Sequence, residues 1–357
     1  MRAIVLVLSA VLAVASVEGA TKRHIVSRHS PDAPYGVFIN VTAQSDPTQI
    51  GRALDLAAAD GIPWVRLQFS WSAIQPTAGF ANYNFYNQIV NRAVKDKIHV
   101  VGLIAYSAQW NTTAPASETR LAQREHYPPA DYKAWGAFVT LTVSIFKDRV
   151  HFWEIWNEPD LGFPPDATHV CDGFWCGTSA QYAHLLSVAY TSVKAADPAA
   201  VVLLGGLALD GTDHPTFLVD ILTDPDYPAG DSFDVMNYHS YGSKNEALTR
   251  ISYVKSHMFY GSGGLKPIWI TEFGYSSDPA VQNVAPYYGG ESGQAAYVTD
   301  MAPYLRGLGV QKLFWFQLFD GTSASDKFAS YGLLTSALEK KQAYDAYGDV
   351  IKASTQP

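Results

Sequence analysis

Short apolar runs alternate along most of this chain with longer stretches in which apolar positions recur at helical spacing, and Gly or Pro punctuates the hand-overs. The apolar runs predict strands at 36–40, 64–69, 99–106, 150–157, 201–207, 233–241, 267–272 and 312–318. Most are apolar nearly throughout, as expected of strands covered on both faces. The periodic stretches predict helices at 47–59, 83–95, 130–146, 179–196, 214–222, 245–257, 291–308 and 336–351. Gly61, Ile62 and Pro63, then Asp197 and Pro198, then Gly307 and Gly309, stand where a helix should give way to the next strand. Eight alternating units predict a (β/α)8 barrel as a single domain over residues 21–357, without an appended β-sandwich. The competing doubly wound sheet normally brings a Gly-rich phosphate turn after its first strand, and Asn40, Val41, Thr42, Ala43 and Gln44 do not make one.

The first twenty residues change the picture at one end. Arg2 precedes an apolar run that closes in small residues, which reads as a secretory signal peptide over 1–20, with cleavage after Ala15, Gly19 or Ala20. The run is short for a membrane span, which needs roughly 20 apolar residues, and no later segment is long enough, so no membrane association is expected after signal removal. The protein is therefore expected to be secreted or periplasmic. The 357 residues carry a formal net charge of -8 and no basic run, which argues against a nucleic-acid partner. The only cysteines, Cys171 and Cys176, are close enough to close a small loop by a disulfide in an oxidising compartment, and two thiols alone make a poor zinc site. Asn40 and Asn111 each begin an N-glycosylation pattern, and Asn40 could instead face a pocket.

The chemistry lies in two apolar runs that each end in an isolated glutamate: HFWEIWNEPD, with Glu158, and KPIWITEFGY, with Glu272. In the barrel these fall at the C-terminal ends of strands four and seven, the face that carries barrel active sites. Acetal cleavage needs one carboxyl group to protonate the leaving oxygen and a second to meet the positive charge on the sugar ring. Glu154 lies inside the strand and Asp160 beyond Pro159, which ends the strand and leaves Glu158 at the rim. Asn157 offers an amide suited to a sugar hydroxyl. His126, His169, His184, His214 and His257 are scattered without metal-ligand spacing, so neither a metal nor a cofactor is expected. The chain has 9 Trp, 21 Tyr and 17 Phe, and such rings serve either as core or as platforms for sugars. Trp71, Tyr106, Trp110, Phe163, Trp175, Tyr275 and Phe319 all follow strand ends, where they either line a cleft or pack under loops.

WEIWNEPD closely resembles the acid/base signature of clan A glycoside hydrolases, and ITEFG resembles the nucleophile strand of that clan. Within the clan the chain is most similar to family 39, with family 5 as runner-up, although His151 and Trp153 stand where the family 39 signature has Trp and Phe. The resemblance implies that Glu158 is the general acid/base, Glu272 the nucleophile and Asn157 the partner of the substrate 2-hydroxyl. It further implies that Arg66, at the end of strand two, hydrogen-bonds the nucleophile. His239 and Tyr241, in NYHSYG, would surround the nucleophile and sugar, and Trp315 would floor the subsite of the cleaved sugar. A cationic Arg66 and the Tyr241 hydroxyl would keep Glu272 ionised. Glu158 must carry its proton to act as an acid, which burial and the Glu272 charge favour. The reading is a retaining O-glycosyl hydrolase acting on β-linked oligo- or polysaccharide by double displacement. The loop 161–177 would shape the leaving-group side. The alternatives are a non-catalytic carbohydrate-binding barrel, or a transglycosidase using the same residues.

Overall fold

A computed structural model describes residues 30–41, 45–165, 170–211, 213–261, 263–323 and 326–355. The expected signal peptide, Thr42 and His169 lie outside the described residues. In chain order the elements are β1 (Tyr35–Ile39), α1 (Pro47–Asp60), β2 (Trp64–Ser70), α2 (Trp71–Ile74), α3 (Asn84–Lys95), β3 (His99–Ala105), α4 (Leu121–Glu125), α5 (Tyr132–Phe146), β4 (Phe152–Asn157) and α6 (Ser179–Ala196). There follow β5 (Val201–Gly206), α7 (Phe217–Leu222), a single 3-10 turn (Ala229–Asp231), β6 (Met236–His239), α8 (Lys244–His257), β7 (Ile268–Phe273), α9 (Gly290–Gly307), β8 (Lys312–Trp315) and α10 (Gln342–Ser354).

All eight predicted strands are present and pair in parallel in the order β5-β4-β3-β2-β1-β8-β7-β6. The two outer members meet through parallel bridges at Leu203–Val235 and Leu207–Tyr238, with the Leu204 amide donating to the Val235 carbonyl at 3.1 Å and the His239 amide to the Leu207 carbonyl at 2.7 Å. The sheet thus closes into a single-domain (β/α)8 barrel. The eight helices expected between strands form, and α2 and α4 are short additions at the rim.

Local chemistry explains where most helices start and stop. Thr178 and Gln181 form a reciprocal capping box at the start of α6, and Ser243 and Glu246 do the same for α8. Asp46 caps α1, which ends on Gly61 in the left-handed region at φ 83°. Two predicted helices shorten. Residues 214–216 turn before α7 begins, and residues 335–339 fold into a turn, with the Thr335 amide donating to the Glu339 carbonyl at 2.8 Å, so α10 starts at Gln342. The sixth strand is shorter than predicted, Met236–His239, and its register on β7 shifts between Tyr238 and His239.

Two apolar layers follow. The larger fills the space between barrel and helices. The smaller plugs the barrel interior at its N-terminal end with Trp64, Val101, Leu203, Val235, Trp269 and Phe314. Above this plug the interior turns polar.

Candidate active site

Arg66, the third residue of β2, sets the geometry of the upper interior. It is not at the end of its strand as expected from sequence, and its fully buried guanidinium spans the distance to the rim. Nε and Nη2 form a fork on the Glu154 carboxylate at 2.7 and 2.9 Å, Nη2 also donates to Asn157 Oδ1 at 2.8 Å, and Nη1 donates to Glu272 Oε1 at 2.5 Å. A fork of this kind suits arginine because its donors are planar and fixed. Glu154 Oε1 also accepts from the Gly206 amide at 3.0 Å and from Thr271 Oγ1 at 3.2 Å. Glu154 is thus an interior anchor, a role that sequence reading did not give it. A carboxylate set inside an otherwise apolar, buried strand is the signal that could have found it.

The chain leaves β4 with two non-glycine residues in the left-handed region, Trp156 at φ 73° and Glu158 at φ 44°. The Glu158 amide donates to the Gly206 carbonyl at 2.9 Å, and its carbonyl accepts from the Leu161 amide at 3.0 Å. Strain of this kind persists only where surrounding bonds hold it, and it clusters at functional sites. Asp160 takes no part in the site. Its buried carboxylate accepts from the Ala208 and Leu209 amides at 2.8 Å each and fixes the loop after β5.

Glu272 is held from both sides. Arg66 bonds one oxygen, and the Tyr241 hydroxyl donates to the other at 2.7 Å. Burial alone would raise its carboxyl, but the charges on His239 and Arg66 and the hydrogen bonds from Tyr241 and Arg66 outweigh it and hold the group below its ordinary value. Tyr241 itself is raised well above the usual phenol range by burial and by the Glu272 and Glu158 charges. It is therefore a donor at neutral pH.

His239 lies beside Glu272, as expected, and is also hydrogen-bonded to Glu158. Its Nδ1 lies 2.8 Å from Glu158 Oε1 and 3.6 Å from Glu272 Oε2. Burial lowers its affinity for a proton, but the Glu272 charge together with the hydrogen bond and charge of Glu158 reverses that, and its pKa lies above the usual imidazole value. The ring fits because β5 ends in glycine, since a Cβ on Gly206 would sit 2.1 Å from His239 Nε2. Among the described residues, Glu158, His239 and Glu272 form the one group able to hold a metal ion. The Arg66 cation already occupies one face of Glu272, which opposes a second cation there.

The remaining expectations divide. Tyr106 joins the site: it is buried, and its hydroxyl is raised by burial and by the Glu158 charge. With Asn157 Oδ1 taken by Arg66, the amide nitrogen of Asn157 is the donor left for Tyr106 or a substrate. Trp315 does not join it. The ring is fully buried between barrel and helices, packed on Phe273, Tyr297 and Tyr347, with Nε1 donating to the Tyr331 carbonyl at 3.0 Å. Side chains alternate along a strand, so the inward ring is its neighbour Phe316, stacked on Phe38 at 5.4 Å and 6.3 Å from Tyr241. Tyr275 also packs rather than lining a cleft: it is 1% exposed, lies against Tyr287 and Tyr297, and its hydroxyl accepts from the Val284 amide at 3.2 Å. Trp71 and Trp175 are fully buried. Trp110 is 37% exposed, sits edge-on to Trp71 and donates to the Gln75 carbonyl at 2.8 Å.

Outside the cleft, Cys171 and Cys176 form the expected disulfide. Asn40 is exposed, whereas Asn111 is 3% exposed and exchanges two hydrogen bonds with the Asp131 backbone, at 3.0 and 2.8 Å. In this fold the Asn111 amide is thus already hydrogen-bonded. Among the described residues no helix is long and apolar enough to cross a membrane.

A family model described as glycosyl hydrolase catalytic core matches residues 214–341, the third of the chain that carries His239, Tyr241 and Glu272. No curated protein matches the sequence. Among solved structures, a family 39 glycoside hydrolase from Bacteroides cellulosilyticus WH2 aligns at 19% identity and TM-score 0.66, over 92% of this chain and 64% of that one. An exo-β-1,4-mannosidase from an Opitutaceae bacterium aligns at 16% identity and TM-score 0.64, over 91% of this chain and 60% of that one. A GH5_18 enzyme from Streptomyces cattleya, in complex with Manb1-4GlcNAc, aligns at 18% identity and TM-score 0.65, over 89% and 80%. This chain thus spans less than two thirds of the first two. At these identities the neighbours show the shared barrel, and the family match adds a likeness to a glycosyl hydrolase catalytic core over residues 214–341.

Proposed function

We propose that the protein is a secreted retaining glycosidase that cleaves β-glycosidic bonds, with Glu272 as nucleophile and Glu158 as acid/base. The observation that carries this reading is that one carboxylate oxygen from each glutamate and a ring nitrogen of His239 all lie within 4.8 Å of one another. Retaining pairs stand about 5–5.5 Å apart, whereas an inverting pair needs about 6.5–9.5 Å to admit a water. Glu272, kept ionised, attacks the anomeric carbon while Glu158 gives its proton to the departing glycosidic oxygen. Glu158, now a carboxylate, takes a proton from the water that breaks the Glu272 ester, and both groups return to their starting state. Asn157 presents its amide to the sugar, and Phe316 with Phe38 offers an apolar face near the nucleophile. The disulfide supports an oxidising compartment, and with the N-terminal pattern it favours export.

A screen of aryl β-glycosides and β-linked polysaccharides finds the substrate. On that substrate Glu272→Ala should lower kcat/KM by at least about 10^4-fold. NMR of the first-formed product should show the β-anomer. Wild-type turnover by Glu272→Ala, or an α-anomer formed first, would overturn the assignment.

A further inference from the structure

Phe38 of β1 and Phe316 just after β8 stack on the Glu272 side of the site, with Phe316 6.3 Å from Tyr241. In a ring of eight strands β4 lies opposite β8, so a group leaving past Glu158 passes over the loops that follow β3 and β4. Those loops hold an aromatic that sequence reading did not single out. Phe174, inside the disulfide loop, is half-buried, with its ring parallel to Tyr106 within 12° at 6.3 Å and 5.4 Å from His126.

Its position is fixed from four directions. The amides of Phe174 and Trp175 both donate to the Leu161 carbonyl, at 2.8 and 3.0 Å, and the Leu161 amide donates to the Glu158 backbone carbonyl. The Phe174 carbonyl accepts from Trp156 Nε1 at 2.8 Å. From α4, Gln123 Nε2 donates to the Gly173 carbonyl at 2.9 Å and lies 3.3 and 3.5 Å from the two disulfide sulfurs. His126 Nδ1 meets the same Gly173 carbonyl at 2.9 Å, and the Cys176 amide donates to the His126 carbonyl at 2.9 Å. Arg120 adds bonds to Asp172 at 2.7 Å and to the Cys171 carbonyl at 3.0 Å. A loop that only capped the barrel would not need a part-exposed phenyl ring held this firmly against Tyr106 of the site.

We propose that Phe174, held by the Cys171–Cys176 loop, is the stacking platform of the leaving-group subsite, and that it takes a pyranose ring presenting an apolar face of C–H bonds. This rests on the reading of Glu158 as the acid/base. It predicts an enzyme that favours a sugar over a small leaving group, with the disulfide acting as a positioning element for that preference.

The test uses the sugar that the wild type releases, as its β-linked disaccharide and as its β-glycosyl fluoride, whose leaving group is too small to reach Phe174. Phe174→Ala should lower kcat/KM on the disaccharide about three- to tenfold more than on the fluoride, and Phe174→Trp should restore most of the difference. Reduction and alkylation of the folded wild type, with unchanged far-UV circular dichroism, should produce the same split. Equal losses on the two substrates, or none on the disaccharide, overturn the platform. A reduced enzyme that keeps full disaccharide preference overturns the role of the disulfide. A wild type that turns over neither substrate for any sugar removes the glycosidase reading, and this proposal falls with it.

Discussion

The two ends of the barrel interior are lined by the same eight strands and are built on opposite principles. At the N-terminal end Trp64, Phe152, Trp269 and Phe314 meet ring on ring, and the Lys312 ammonium lies 4.5 Å over Trp64 and 5.1 Å over Trp269. It also donates to the Ala33 carbonyl at 2.9 Å. At the C-terminal end Arg66 is surrounded by Glu154, Asn157 and Glu272, with His239 completing the polar set. An apolar plug tolerates exchange of one ring for another of similar volume. An interlocked charge network does not, because removing one member leaves the others buried and unpaired. Stability and chemistry are thus separated along one barrel axis, and substitutions at each end should fail in different ways.

The largest effect is expected at Arg66. Arg66→Met leaves Glu154 and Glu272 without their cation, and should destabilise the protein by about 3–5 kcal/mol in urea unfolding while abolishing turnover. A change below about 1 kcal/mol would mean that the network is not interlocked. Next is Gly206→Ala, where the added methyl meets the His239 ring. It should destabilise by about 1–3 kcal/mol and lower kcat more than tenfold, since displacing His239 also frees Glu158. Normal kcat in a folded Gly206→Ala protein would remove His239 from the working geometry.

The smallest effect is expected at the plug. Burial pushes Lys312 down to about 8 from an ordinary 10.5. Between those values the unfolded chain holds the proton and the folded chain does not, so Lys312 makes stability rise with pH across that window. Lys312→Met should keep wild-type kcat/KM and lose that rise when urea midpoints are compared between pH 8 and 10.5. Loss of activity in a stable Lys312→Met protein would break the separation of the two ends.

How far the chain can be read without coordinates depends on what each pattern encodes. The α6 boundaries agree with expectation because apolar spacing and a capping residue coincide at Thr178. Glu158 and Glu272 stand out as candidates because each carboxylate falls where an apolar run ends. The aromatic at the end of β8 does not, because LFWFQLF is apolar at both alternate positions, so a period of two cannot say which ring points inward. The same ambiguity put Tyr275 among the cleft candidates, and no local pattern warned that the Asp131 backbone takes up the Asn111 amide.

The sequence by itself determined the eight βα units and the two carboxylates, since both are written in local periodicity and in single charges set against apolar runs. Tertiary structure decided the partners. Closure of the barrel brings His239 to Glu158 across 81 positions and Arg66 to Glu272 across 206. It also turns Phe316 inward and Trp315 outward. Strands covered on both faces leave inside and outside indistinguishable in sequence, and only packing against α9 and α10 separates them.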